Sequence, residues 1–96
     1  MKAYHLIVKG KVQGVFYRAS VKEKARRLGI SGTVKNSLTG DVEVFCVGPE
    51  PNIYEFIDEC KNNPGYSEVT EVFKEEIKTP DKVREIESGH NFRIIQ

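Results

Sequence analysis

The sequence predicts an α+β sandwich: one antiparallel sheet, two helices on the same face, and a short C-terminal strand. Three observations point to it. The hydrophobic period runs two, 3.6, two, two, 3.6, two along the chain, which is the order of a split βαβ arrangement. Only four residues, Ser37-Leu38-Thr39-Gly40, separate the second and third strand patterns, a length that suits a hairpin. The 96 residues support one modest core and not two, so residues 1–96 are expected to form a single domain.

The elements follow in order. A first strand is expected from Ala3 to Lys9, with Leu6, Ile7 and Val8 giving it β character. Gly10-Lys11-Val12-Gln13-Gly14 breaks it. A helix from Arg18 to Leu28 follows, because Tyr17, Val21, Ala25 and Leu28 fall on one face, and Gly29 reads as its stop. Gly32 to Asn36 is the second strand. Asp41 to Val47 is the third, with Val42, Val44 and Cys46 alternating against Asp41, Glu43 and Phe45.

Gly48-Pro49-Glu50-Pro51 ends that strand, and Ile53, Phe56, Ile57 and Cys60 mark an amphipathic helix. Asn63-Pro64-Gly65 signals a turn. A fourth strand from Val69 to Ile77 and a short one from Phe92 to Ile95 complete the set. The stretch from Thr79 to Asn91 is polar and punctuated by Gly and Pro, and it reads as a loop with room for a helical turn. Either the fourth run or the last is the inner edge partner. This element order is the ferredoxin-like βαββαβ arrangement.

Composition excludes several classes. A hydrophobic share of 39% against 30% charged is that of a globular chain rather than a disordered one. No apolar run approaches the ~20 residues of a membrane helix. The N-terminal apolar stretch is only Leu6 to Val8, too short for a signal peptide, so the expected location is the cytoplasm, with no membrane partner. Cys46 sits in an apolar strand pattern and Cys60 on a helix stripe. They read as two buried thiols rather than one disulfide, and neither has a CxxC partner or a nearby His to suggest zinc. Residues 1–40 carry nine Lys or Arg against Glu23 alone, which suggests either an anionic ligand or a solvated helix face at Lys22, Lys24, Arg26 and Arg27.

The informative stretch is Gly10-Lys11-Val12-Gln13-Gly14-Val15-Phe16-Tyr17-Arg18. By its glycines alone it is an ordinary strand–helix connection with a surface arginine. Yet Gly10 and Gly14 permit turns in which successive N–H groups converge, and the helix behind them adds partial positive charge. Arg18 can then offer a planar fork to two phosphate oxygens. Lys11 would either draw in anions or remain a solvated lysine. No Gly-Lys-Ser/Thr follows, and G-x-G-x-x-G is absent, so neither a Walker loop nor a dinucleotide fingerprint is present.

Those nine residues resemble the signature of the acylphosphatase family, G-x-V-Q-G-V-x-[FY]-R. A second block, Gly32-Thr33-Val34-Lys35-Asn36-Ser37-Leu38-Thr39-Gly40-Asp41-Val42, is similar to that family's G-x-V-x-N-x-x-x-G-x-V segment. Leu28-Gly29, Gly48-Pro49 and Phe92-x-Ile94 extend the likeness over nearly the whole chain. Two departures are Thr33, where many relatives carry an aromatic residue, and Thr39-Gly40, where many carry Asp-Gly.

The resemblance implies a hydrolase that cleaves a small-molecule acyl phosphate to a carboxylate and inorganic phosphate, by in-line attack of water on phosphorus, with no metal and no cofactor. It implies that Gln13, Gly14, Val15, Phe16, Tyr17 and Arg18 bind the phosphate, with Arg18 and Asn36 catalytic and Asn36 orienting the water. A carboxylate leaves readily, so no strong general acid is required. The motifs indeed contain no compelling His/Asp/Glu constellation. A monomer without a nucleic-acid partner is expected, and one without the larger carbamoyl phosphate-handling enzymes to which similar domains are fused.

Taken alone, Asn36 is a strand-end residue suited to a turn, and Ser37 a local hydrogen-bonder in the hairpin. His5 and His90 read as surface or edge residues. Two competing readings are a non-catalytic anion-binding module and a single-strand RNA binder. The third strand lacks the stacking aromatics of the latter.

Overall fold

The computed structural model describes residues 1–89 and 91–95. Eight elements follow in chain order: β1 (Lys2–Lys11), α1 (Tyr17–Leu28), β2 (Ser31–Asn36), β3 (Val42–Gly48), α2 (Asn52–Lys61), β4 (Glu68–Glu76), α3 (Pro80–Glu87) and β5 (Phe92–Ile95). The five strands form one sheet in the order β4-β1-β3-β2-β5. The predicted ferredoxin-like α+β arrangement is the one observed, with strand ends displaced by a residue or two.

Alternation decides which face is buried. Leu6 and Val8 of β1, Val34 of β2, and Val42, Val44 and Cys46 of β3 are fully buried against the helices. From α1 come Tyr17, Val21 and Ala25, and from α2 Ile53, Phe56, Ile57 and Cys60, the same stripes that the 3.6-residue period marks out. Phe56 meets Phe92 of β5 edge-on, with ring centroids 5.6 Å apart. Removing each such side chain from water contributes about 1.5–3 kcal/mol, and this one cluster holds both helices to the sheet.

Both late strands are edges. β4 pairs antiparallel with β1, while β5 pairs parallel with β2, so the sheet is mixed rather than wholly antiparallel. A register shift falls between Lys9 and Gly10. There β4 passes so close that a Cβ on Gly10 would lie 2.2 Å from the Glu68 carbonyl oxygen, and only glycine fits. Beyond the shift β1 stays paired with β4 at Gly10 and Lys11, while its pairing with β3 has already ended at Val8.

The expected loop from Thr79 to Asn91 is instead largely α3, an eight-residue helix. Its start signals are present: Thr79 at the N-cap, Pro80 at the first helical position and Asp81 in the first turn. Polar composition hides them, because none of its residues is fully buried. The helix lies on the opposite face from α1 and α2, where Lys82 sits over the Phe45 ring at 5.1 Å.

Cys46 and Cys60 are both buried free thiols. Burial pushes the Cys60 thiol up to about 12 and raises that of Cys46 as well. Neither forms thiolate near neutrality, so at pH 8 a disulfide-exchange reagent should label neither cysteine in the native protein and both after denaturation. A colorimetric thiol count reads the outcome; fast native labelling would contradict the buried placement.

Candidate active site

The segment between β1 and α1 bends without forming a hydrogen-bonded turn. Gly14 and Phe16 are both left-handed, with φ of 71° and 62°. For a bulky residue such as Phe16 this conformation costs on the order of 1–3 kcal/mol. Its backbone N–H and those of Gln13, Gly14 and Val15 find no protein acceptor among the described residues. Tyr17 and Arg18 open α1, so their N–H groups also lack a partner within the helix. No side chain caps that helix. Two carbonyls of the loop, by contrast, are engaged: Val15 O accepts the Tyr66 N–H at 2.9 Å, and Phe16 O accepts that of Ser20 at 3.1 Å. The result is a row of free donors at a helix N-terminus, the arrangement that binds an anion.

Three side chains hold the row in place. Tyr17 is buried, and its hydroxyl donates to the Cys60 carbonyl at 2.9 Å, anchoring the loop to α2. Burial raises the Tyr17 hydroxyl far above its ordinary pKa, so it remains a donor. The Gln13 carboxamide donates from Nε2 to Ser37 O at 2.8 Å and to Asp41 O at 2.9 Å. Both of its hydrogens therefore span the β2–β3 hairpin. Lys9 reaches the same hairpin from β1, 2.8 Å from Asp41, and with the Thr39 hydroxyl it holds the Asp41 carboxyl below the usual range.

Asn36 closes β2 opposite Val42 and shares that residue's helix-covered face. Its Oδ1 is buried with no hydrogen-bond partner among the described residues. Such an atom is uncommon enough to need a reason. Ser37 beside it bonds locally as expected, its Oγ 2.9 Å from that of Thr39. Arg18 is half-buried, and no carboxylate of the described residues pairs with it.

Arg18 and Asn36 do not line one cavity. Arg18 borders a depression of about 280 Å³ with Gly14, Phe16 and Ile94. Asn36 borders a second, beneath the hairpin, with Ile7, Lys35 and Thr39. The tie between the two is the Gln13 side chain, whose bridging role the sequence motif does not disclose.

His5 lies on the open sheet face, 2.8 Å from Glu43 and stacked on Phe45, away from the loop. His90 falls outside the described residues. No group of three or more His, Cys, Asp or Glu among the described residues could hold a metal ion, and no helix there is long and apolar enough to cross a membrane.

Comparison with known proteins identifies the family. The acylphosphatase family model matches residues 4–94. This chain belongs to the acylphosphatase family. It is 37% identical to an acylphosphatase of Marinobacter nauticus over 91% of this chain and 95% of the other. Among solved structures, the acylphosphatase of Bacillus subtilis superposes with a TM-score of 0.88 at 34% identity, covering both chains fully. That of Coxiella burnetii gives 0.82 at 36% identity, over 98% of this chain and 92% of the other.

The Gln13 bridge yields a direct expectation. Gln13→Met keeps the length of the side chain and removes its donors, while Ser37 O and Asp41 O retain backbone partners. Two lost side-chain hydrogen bonds should cost about 1–2 kcal/mol in denaturant unfolding. Amide exchange at Ser37 should quicken; an unchanged hairpin and unchanged stability would show that the bridge bears nothing.

Proposed function

We propose that this chain hydrolyses acyl phosphates to a carboxylate and inorganic phosphate, as a single-domain monomer in the cytoplasm. The observation that carries the reading is the row of loop N–H groups from Gln13 to Arg18 that the protein leaves without acceptors. The phosphoryl oxygens would take those donors, with the Arg18 guanidinium adding a charged fork.

Asn36 would hold the attacking water through its otherwise unpartnered Oδ1. Water oxygen bonds to phosphorus, the phosphorus–oxygen bond to the acyl group breaks, and the carboxylate leaves with the electron pair. The proton released from water ends on phosphate or solvent. Since a carboxylate is a stable leaving group, catalysis reduces to positioning and charge stabilisation, and neither a general acid nor a metal is demanded.

Support for the cytoplasm comes from the two reduced thiols, and for a monomer from exposed apolar residues such as Leu38, Phe73 and Ile95, which sit on different elements or loops.

Release of phosphate from acetyl phosphate, in the presence of a chelator, tests the reaction. Arg18→Ala should lower kcat/KM by about 3 kcal/mol, roughly a hundredfold, and weaken inhibition by inorganic phosphate. Asn36→Ala should lower kcat while leaving phosphate inhibition within a few fold. Loss of phosphate binding in Asn36→Ala would show that it holds the anion and not the water.

A further inference from the structure

Anion binding uses the backbone of Phe16 and leaves its ring unexplained. The residue occupies the N-cap of α1, where Ser, Thr, Asp or Asn would supply a capping oxygen, and it does so in the left-handed region. The residue is 70% exposed. Beside it stands Tyr66, 78% exposed, with ring centroids 5.9 Å apart and planes inclined at 69°. Neither ring belongs to the core cluster.

The backbone beneath the two rings is tightly built. Tyr66 donates its N–H to the Val15 carbonyl, and Gly65 presses so close that a Cβ there would lie 2.7 Å from Val15 O and 2.9 Å from Phe16 O. The 63–66 turn is thus locked against the loop, and its visible product is an aromatic pair held in water. Phe16 also borders the depression shared by Gly14 and Arg18, so the pair continues the phosphate site.

We infer that Phe16 and Tyr66 form the seat of the acyl group, and that the chain selects acyl phosphates bearing an aromatic ring over small aliphatic ones. The inference rests on the proposed hydrolysis of acyl phosphates. In such a substrate the acyl carbon is one bridging oxygen from phosphorus. A phosphoryl group on the loop amides therefore directs its acyl group to the rim of the same depression. An edge-to-face pair offers one ring face and one ring edge to a third ring, an arrangement that a methyl group cannot exploit. No charged side chain is part of the pair, so a charged or polyhydroxylated acyl group gains nothing there.

The experiment compares benzoyl with acetyl phosphate in the wild type, Tyr66→Ser and Phe16→Gly, the last chosen because glycine tolerates a left-handed backbone and adds no capping oxygen. The ratio of kcat/KM, benzoyl over acetyl, should fall about fivefold to tenfold in each variant. Inhibition of Tyr66→Ser by inorganic phosphate should stay within twofold. An unchanged ratio would overturn the inference, and so would an equal loss for both substrates, which would make the pair a support for the loop.

Calorimetric binding of phenylphosphonate and methylphosphonate supplies an arm that needs no turnover. The wild type should prefer the phenyl compound, and Tyr66→Ser should lose that preference. A wild type that hydrolyses neither acyl phosphate would refute the proposed reaction, while the phosphonate preference would still decide for or against the aromatic seat.

Discussion

The structure turns on a constraint that most loops avoid: the segment from Gln13 to Phe16 keeps its amide hydrogens free of protein acceptors. Backbone donors are ordinarily paired, because an unpaired one forfeits a hydrogen bond. A loop that withholds them must be held by everything else it has. Here the carbonyls of Val15 and Phe16 are tied to Tyr66 and Ser20, the Tyr17 hydroxyl to α2, and the Gln13 carboxamide to the hairpin. Each anchor comes from a different part of the fold, so the loop's shape is set from outside and not by its own ladder.

The fold offsets part of the charge asymmetry of the sequence. Lys2 pairs with Glu76, Lys9 with Asp41, Lys24 with Glu59 and Lys35 with Glu43. The sheet order sets β1 between β3 and β4, and α1 lies beside α2, which brings cations of the first half against acids of the second. These exposed or half-exposed pairs contribute little stability each. They neutralise four of the nine cations of residues 1–40; Lys11, Arg18, Lys22, Arg26 and Arg27 have no salt-bridge partner among the described residues. The open face is covered on its β2–β3 side by α3, and His5 stacks on Phe45, the position where a single-strand RNA binder would display free stacking rings.

Much of the fold was legible because hydrophobic period reports burial directly. The stripes Tyr17-Val21-Ala25 and Ile53-Phe56-Ile57-Cys60 are the buried faces of α1 and α2, and Val42-Val44-Cys46 is that of β3. α3 escaped notice because it buries no whole side chain, so its apolar residues Val83 and Ile86 set no strong period, although its Thr-Pro-Asp start was there to read. The parallel pairing of β5 with β2 was not legible either, since the direction of a four-residue edge strand leaves no mark on its own composition. At the site, the loop residues and Asn36 announced themselves through two motifs. The Gln13 bridge did not, because a long-range hydrogen bond has no periodicity.

By itself the sequence determined which residues face the core, where the chain must turn, and that a glycine-bearing loop ending in Arg18 follows the first strand. Those are local matters, governed by side-chain alternation and backbone freedom. Only the tertiary structure decided what the loop's donors lack, which carbonyls Gln13 reaches, and that Tyr66 comes to stand against Phe16 from fifty residues away. Such contacts depend on strand order and register, and these arise from packing the whole sheet against both helices at once.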